Sequence, residues 1–136
     1  MRIRFRDDES GTAMVEFAVV AALFFIPLVF GIIEFGRVVW AKNMITAAAR
    51  EGTRYAVVHG ADVLNTNTAD SAAIANYVKN RTKLSPIGVS TAWKNTKEPQ
   101  DTVTVTVKYT YTPIVKVPGL LTSKNLTGTS TQIIYF

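Results

Sequence analysis

The sequence contains no cysteine and a single histidine, His59. Without cysteine the chain forms no disulfide framework, no thiolate nucleophile and no thiolate metal site. It also lacks an HExxH sequence, a glycine-rich phosphate loop and a nucleophile elbow. A lone histidine without a spaced nucleophile or acidic partner does not make a catalytic constellation. We therefore predict no enzyme activity, no catalytic residue, no metal site and no cofactor.

Charge is scarce as well. Charged residues make up 18% of the chain, against about 25% in a typical soluble domain, whereas 48% of the residues are hydrophobic. This balance excludes a disordered chain and a coiled coil. Lysine and arginine (15) outnumber aspartate and glutamate (10), so the net charge is +5, which favours acidic partners. The lysines are scattered rather than interleaved with aromatic residues, so we predict no nucleic-acid binding.

The apolar residues are concentrated in one run. Residues 17–33, "FAVVAALFFIPLVFGII", carry no charge and lie between Glu16 and Glu34. As a helix the run would be about 25 Å long, close to the roughly 30 Å of a bilayer core. The alternative is a buried core helix, but the rest of this short chain could hardly cover a helix that is apolar on every face. We predict a transmembrane helix over residues 12–40, in which Pro27 is tolerated.

A cleaved secretory signal is the other alternative for this run. The first ten residues hold three arginines but also three carboxylates, and no small-x-small cleavage site follows the run. We therefore expect the run to be retained. The cations that follow it do not favour an inside amino terminus by the positive-inside rule.

A short motif precedes the run. Gly11 is followed by four residues and then by Glu16 and Phe17, which resembles the type III signal of type IV pilin precursors. The resemblance implies that prepilin peptidase cuts between Gly11 and Thr12, so residues 1–11 would be a leader peptide. A glycine lets the backbone approach the peptidase closely. Placing the charged Glu16 carboxylate near the bilayer costs free energy. The α-amino group freed at Thr12 could pair with this carboxylate. The alternative is a carboxylate favoured only by the helix dipole.

The resemblance extends further along the chain. "GTAMVEFAVV" and "FGIIEFGRVVWAKNMITAAAREGTRYAVVHG" resemble the TadE family of pilin-like proteins of tight-adherence (Flp-type, type IV) pilus systems. The match is densest over residues 11–60, and the leader departs from it in being charge-balanced. The family implies a minor subunit or assembly component that supports pilus biogenesis and surface adhesion. It implies prepilin peptidase, other pilin-like subunits, the pilus assembly platform and the lipid bilayer as partners.

The same resemblance implies a location. We expect a single-pass protein of the bacterial inner membrane with an extracytoplasmic carboxy-terminal head, residues 41–136, and we leave its incorporation into the pilus open. Glu34 and Arg37, three residues apart, are predicted to form a structural pair on one helix face. The runner-up interpretation is an uncleaved single-span protein that displays a binding or sensing module.

The remainder predicts a small α+β head. Beyond the span the helix is expected to become amphipathic, with Thr53 on its polar side. A second helix is expected with Asn67 as its cap and with Pro86 and Gly88 beyond its end. Alternation in "TVTVTVKYTY" predicts a strand whose valine and tyrosine face packs on a helix. Weaker strands are expected at residues 89–93 and 129–136, which completes an α+β fold with an antiparallel sheet.

Overall fold

The computed structural model describes residues 9–60, 70–95, 100–114 and 122–134. Its elements, in chain order, are α1 (Glu9–Gly60), α2 (Ser71–Arg81), β1 (Ile87–Trp93), β2 (Thr102–Tyr111) and β3 (Lys124–Ile133). The predicted α+β class, with a long helix, a small helix and an antiparallel sheet, is confirmed. The chain divides into two compact units after Gly36. We call them the apolar unit and the head unit, and the head unit begins at Arg37.

The sheet has the order β1-β2-β3, and both pairings are antiparallel. β2 is the central strand, and its side chains alternate between the two faces as the sequence predicts. Val103, Val105 and Val107 are fully buried and Tyr111 nearly so. The threonines between them point to the other face and form cross-strand hydroxyl contacts, such as Thr104 Oγ1 to Thr131 Oγ1 at 2.9 Å.

The buried face of β2 packs against α1. The α1 residues that fill the core are small or branched: Ala41, Ile45, Ala49 and Ala56. Gly52 lies at the closest approach, where an added Cβ would stand 2.7 Å from Val78 Cγ2 and 3.1 Å from Val105 Cγ1. Absence of a side chain at this position is therefore what lets α2 and β2 both reach α1.

Thr53 corrects the predicted polar face of α1. The sequence pattern predicts Thr53 on the solvent side, but the structure buries it completely. Its hydroxyl donates to the Ala49 carbonyl oxygen at 2.7 Å and lies 3.3 Å from the Ser130 carbonyl oxygen. Because these carbonyls satisfy the hydroxyl, a threonine can occupy a core position here without the cost of an unpaired polar group.

The start of α2 differs from the prediction. The cap is Asp70, whose carboxylate accepts a hydrogen bond from the Ser71 N–H at 2.7 Å; the predicted cap, Asn67, lies outside the described residues. The helix ends at Arg81, before Pro86, because the backbone of its cap, Thr82, is extended. The Thr82 N–H and hydroxyl both donate to the Val78 carbonyl oxygen, at 3.0 and 2.8 Å. Asp70 and Thr82 thus cap the two ends of this eleven-residue helix.

The two outer strands begin earlier than predicted. β1 starts at Ile87 rather than residue 89, and β3 runs over Lys124–Ile133 rather than residues 129–136. β3 pairs with the whole of β2, from Tyr111↔Lys124 to Thr102↔Ile133. Its first half lacks apolar alternation in the sequence, and backbone pairing with β2, half-buried Leu126 and buried Gly128 hold it in the sheet.

Candidate functional site

The apolar run of the first unit has its large side chains exposed. The run from Phe17 to Ile33 lies within α1, and its large side chains are about half to three-quarters exposed, as at Leu23 (76%) and Phe24 (75%). None of the most apolar 18-residue window is buried. A core helix of a soluble domain would bury such side chains, and a contiguous exposed apolar surface of this extent marks contact with lipid or with other apolar helices. The helix is long and apolar enough to cross a membrane.

The motif residues lie in the first turns of the same helix. α1 begins at Glu9 and continues without interruption through Gly11, Thr12, Glu16 and Phe17. Glu16 and Phe17 are both exposed, so the carboxylate stands on the helix surface directly before the apolar run. Nothing lies within 4 Å of where a Gly11 Cβ would stand. The structure brings these residues together on one helix end, and the cleavage assigned to them stays a prediction.

Glu34 and Arg37 are in a different setting from Glu16. Glu34 is only 9% exposed, and Arg37, at the start of the head unit, is half-buried. Both residues have an interaction partner. The Arg37 guanidinium carbon lies 5.4 Å from the centre of the Tyr111 ring, which is a cation–π distance. This contact gives Arg37 a role in the head that spacing along the sequence did not reveal, and its predicted pairing with Glu34 stays a prediction.

The head unit holds one polar cluster that the sequence did not indicate. Glu51 on α1 accepts hydrogen bonds from the Tyr77 hydroxyl at 3.0 Å and from the Arg81 guanidinium at 2.8 Å. The Tyr77 hydrogen bond and the positive charges of Arg54 and Arg81 outweigh desolvation and hold the pKa of Glu51 below its ordinary value of 4.5. Tyr77 and Arg81 are four residues apart on α2, but nothing in the sequence pairs them with a residue on another helix.

Aromatic stacking extends this cluster along α1. The Tyr55 ring stacks on Tyr77 at 4.3 Å and on His59 at 4.1 Å between ring centres. The Arg81 guanidinium carbon lies over the Tyr77 ring, 5.3 Å from its centre. His59 Nδ1 is 2.9 Å from the Tyr55 carbonyl oxygen. The one histidine therefore packs in a stack that joins the two helices, which is a structural role.

The acidic residue before β2 also has a structural role. Asp101 is buried, and its carboxylate accepts hydrogen bonds from the Thr102 N–H at 2.7 Å and the Asn95 N–H at 3.0 Å. Its backbone oxygen accepts from the Ile134 N–H at 2.9 Å. In the part of the chain that the structure describes, no group of three or more histidine, cysteine, aspartate or glutamate residues could hold a metal ion.

Comparison with known proteins agrees with the resemblance read from the motifs. A family model described as "TadE-like protein" matches residues 11–54. No curated protein and no solved structure matches the chain. The matched segment begins at Gly11, contains the exposed apolar run and ends on the amphipathic part of α1. The predicted resemblance is confirmed: residues 11–54 of this chain are similar to the TadE-like protein family.

Proposed function

We propose that this chain is a pilin-like minor subunit or assembly component of a tight-adherence pilus. In this proposal a prepilin peptidase removes residues 1–11, and the mature chain starts at Thr12. The exposed apolar run anchors it as a single-pass protein of the bacterial inner membrane. The head lies on the extracytoplasmic side and acts by contact with other pilin-like subunits and the assembly platform, rather than by catalysis.

One observation carries the proposal. The segment that matches the TadE-like family begins at Gly11, and it places the Glu16 carboxylate one residue before an apolar run whose large side chains are exposed. A carboxylate at the edge of a membrane span is costly unless it has a partner. Cleavage after Gly11 would create that partner, a positive α-amino group four residues earlier on the same helix. The exposed run, in turn, supplies the surface by which pilin-like helices bind lipid or each other.

The organisation of the head supports a contact role. Among the described residues, three titratable side chains of the head take part in internal structure: Asp101 in the turn before β2, His59 in an aromatic stack, and Glu51 in the bridge to α2. We therefore expect this small head to act through surfaces that bind other proteins, rather than through a reactive group. The outer face of the sheet, rich in threonine hydroxyls, is available for contact in the described part of the chain.

Processing can be tested with a matched pair of variants. The full chain is expressed in membranes together with the cognate prepilin peptidase, and its size is followed by immunoblot. Gly11→Leu should remain as an uncleaved precursor because the side chain blocks close approach of the peptidase. Ala13→Leu, two residues away and also exposed, should be cleaved as the parent is. Equal cleavage of Gly11→Leu would contradict the assignment of the processing site to Gly11, and no cleavage of the parent would favour the uncleaved single-span alternative.

A further inference from the structure

β1 is an edge strand of the sheet, and it has none of the features that usually protect an edge. Its seven residues, "IGVSTAW", contain no charge and no proline. They pair with β2 in an unbroken register, from Ile87↔Tyr109 to Trp93↔Val103. Natural edge strands are commonly protected by charged side chains, proline or a bulge, because their unpaired backbone groups can pair with another chain. β1 is therefore a regular and uncharged edge.

The outer edge of β1 offers backbone groups to an incoming strand. In the part of the chain that the structure describes, the backbone of residues 87–92 hydrogen-bonds only to β2. In an antiparallel pair, alternate residues direct both their N–H and their C=O away from the partner strand. The outer-face residues Gly88, Ser90 and Ala92 are small and exposed. An approaching strand would therefore meet unpaired backbone groups and little steric obstruction on this face.

The other edge strand, β3, is in a different situation because α1 already binds its backbone. Lys42 Nζ donates a hydrogen bond to the Thr127 carbonyl oxygen, and the Thr53 hydroxyl lies 3.3 Å from the Ser130 carbonyl oxygen. β3 also begins with a charged residue, Lys124. Helix contacts and charge distinguish β3 from β1, so β1 is the edge better suited to an added strand.

The strand that β1 already pairs with shows which side chains suit it. Val107 of β2 lies opposite Val89 on the inner face of the sheet, and Thr106 lies opposite Ser90 on the outer face. The valines of β2, which has a strand on both sides, are fully buried. The inner-face residues of β1 are only half-buried: Ile87, Val89, Thr91 and Trp93. A second strand with the alternation of β2 would cover their remaining exposed surface.

We propose that the outer edge of β1 binds an extended, uncharged strand of another protein, which adds to the sheet as a further antiparallel strand. The partner strand carries apolar, β-branched residues on the inner face and small hydroxyl residues on the outer face. A charged strand is disfavoured, because β1 places no opposite charge beside it. This inference goes beyond the proposed function and depends on neither cleavage nor membrane anchorage.

The probe is a synthetic peptide with the sequence of residues 102–108, "TVTVTVK", whose terminal lysine keeps it soluble. It is made in two versions, N-methylated either at every valine or at every threonine. Because alternate N–H groups point to opposite edges of a strand, each version loses the donors of one edge only. The full chain is held in lipid nanodiscs, and binding of each fluorescent peptide is measured by anisotropy.

The proposal predicts that one methylated peptide binds and the other does not, since only one edge of the added strand faces β1. Hydrogen exchange followed by mass spectrometry should show slower exchange in residues 87–93 when the binding peptide is present, with residues 124–133 unchanged.

Two matched variants locate the site. Ser90→Lys should weaken peptide binding roughly tenfold, because its ammonium group would be desolvated beside an uncharged strand. Thr129→Lys places the same side chain on the same sheet face but on β3, where it is also exposed, and should leave binding unchanged. Ser90→Thr should also preserve binding, which separates the effect of charge from that of any substitution at residue 90. Circular dichroism melts verify that each variant is folded.

Binding of both methylated peptides, or of neither, would overturn the proposal. An equal loss of binding in Thr129→Lys, or slowed exchange in β3 instead of β1, would overturn it as well. Self-association of the chain through β1 without peptide binding would show that the occupant is a second copy, and would also contradict the proposal. None of these outcomes bears on cleavage after Gly11 or on anchorage, so the proposed function would stand or fall separately.

Discussion

Gly128 of β3 lies against the backbone of Ile45 on α1. A Cβ added at residue 128 would stand 2.7 Å from both the carbonyl carbon and the oxygen of Ile45, and 2.9 Å from the Thr46 nitrogen. These are backbone atoms of a helix, so they cannot rotate away as a side chain could. The helix can therefore cross the sheet this closely only because the strand has no side chain at that position.

Gly128→Ala should destabilise the head by about 1–3 kcal/mol, because the added methyl group forces α1 and β3 apart. Gly88→Ala is the matched control on β1, since its Cβ would meet nothing closer than 3.9 Å. Both variants are compared with the parent full chain in detergent by thermal and urea unfolding, followed by circular dichroism. Equal stability of Gly128→Ala and Gly88→Ala would contradict the close packing of α1 on β3.

Val105→Asp should cost about 3 kcal/mol or more, because it places an unpaired carboxylate in the core next to Gly52. Ser90→Asp introduces the same side chain on the exposed face of β1 and should cost about 1 kcal/mol or less, through strand propensity. The same unfolding measurements apply. An unchanged melt for Val105→Asp would mean that this face of β2 is a recognition surface rather than a packed one.

Glu51 should make stability depend on pH on the acid side. Its pKa is lowered in the folded chain, chiefly by the Tyr77 hydroxyl. Its stabilising contribution is therefore present above the ordinary value of 4.5 and is lost as the pH falls through the lowered folded value. Because Glu51 is partly exposed, the effect should be smaller than that of Val105→Asp. Melts of the parent and of Glu51→Gln as the pH is lowered should converge; a difference that stays constant would contradict the assignment.

Glu16→Ala should permit cleavage after Gly11 and yet impair pilus assembly. A charged group at the membrane without its partner costs of the order of 3 kcal/mol, and loss of Glu16 would leave the new α-amino group alone. Met14→Ala shortens an exposed side chain two residues away without changing charge and should assemble normally. Pili sheared from the cell surface are quantified in both variants. Full pilus production by Glu16→Ala would show that the helix dipole alone accounts for the carboxylate.

The sequence predicted the parts of the fold that depend on hydrophobic patterning. Residue types show directly which faces of an element avoid water. The alternation in β2 and the apolar character of residues 17–33 on every side could therefore be recognised in the sequence. The motif around Gly11 and Glu16 could likewise be read locally. For these features the structure agrees with the elements and faces that the sequence predicted.

What the sequence missed depends on contacts between distant residues. Thr53 is buried because carbonyls of Ala49 and Ser130 satisfy its hydroxyl, and a pattern of residue types cannot show that partner. The first half of β3 carries no apolar alternation, so the sequence pattern does not show its pairing with β2. Gly128 gave a weak signal, since an isolated glycine in a strand often marks a close backbone approach, but the approaching element could not be named.

The central claim is that a peptidase converts this chain into a membrane-anchored pilin-like subunit. The most direct measurement is the intact mass and amino-terminal sequence of the chain isolated from native membranes that contain the cognate peptidase. The account predicts a mature chain that begins at Thr12, eleven residues shorter than the 136-residue precursor. A mature chain that still begins at Met1 would contradict it.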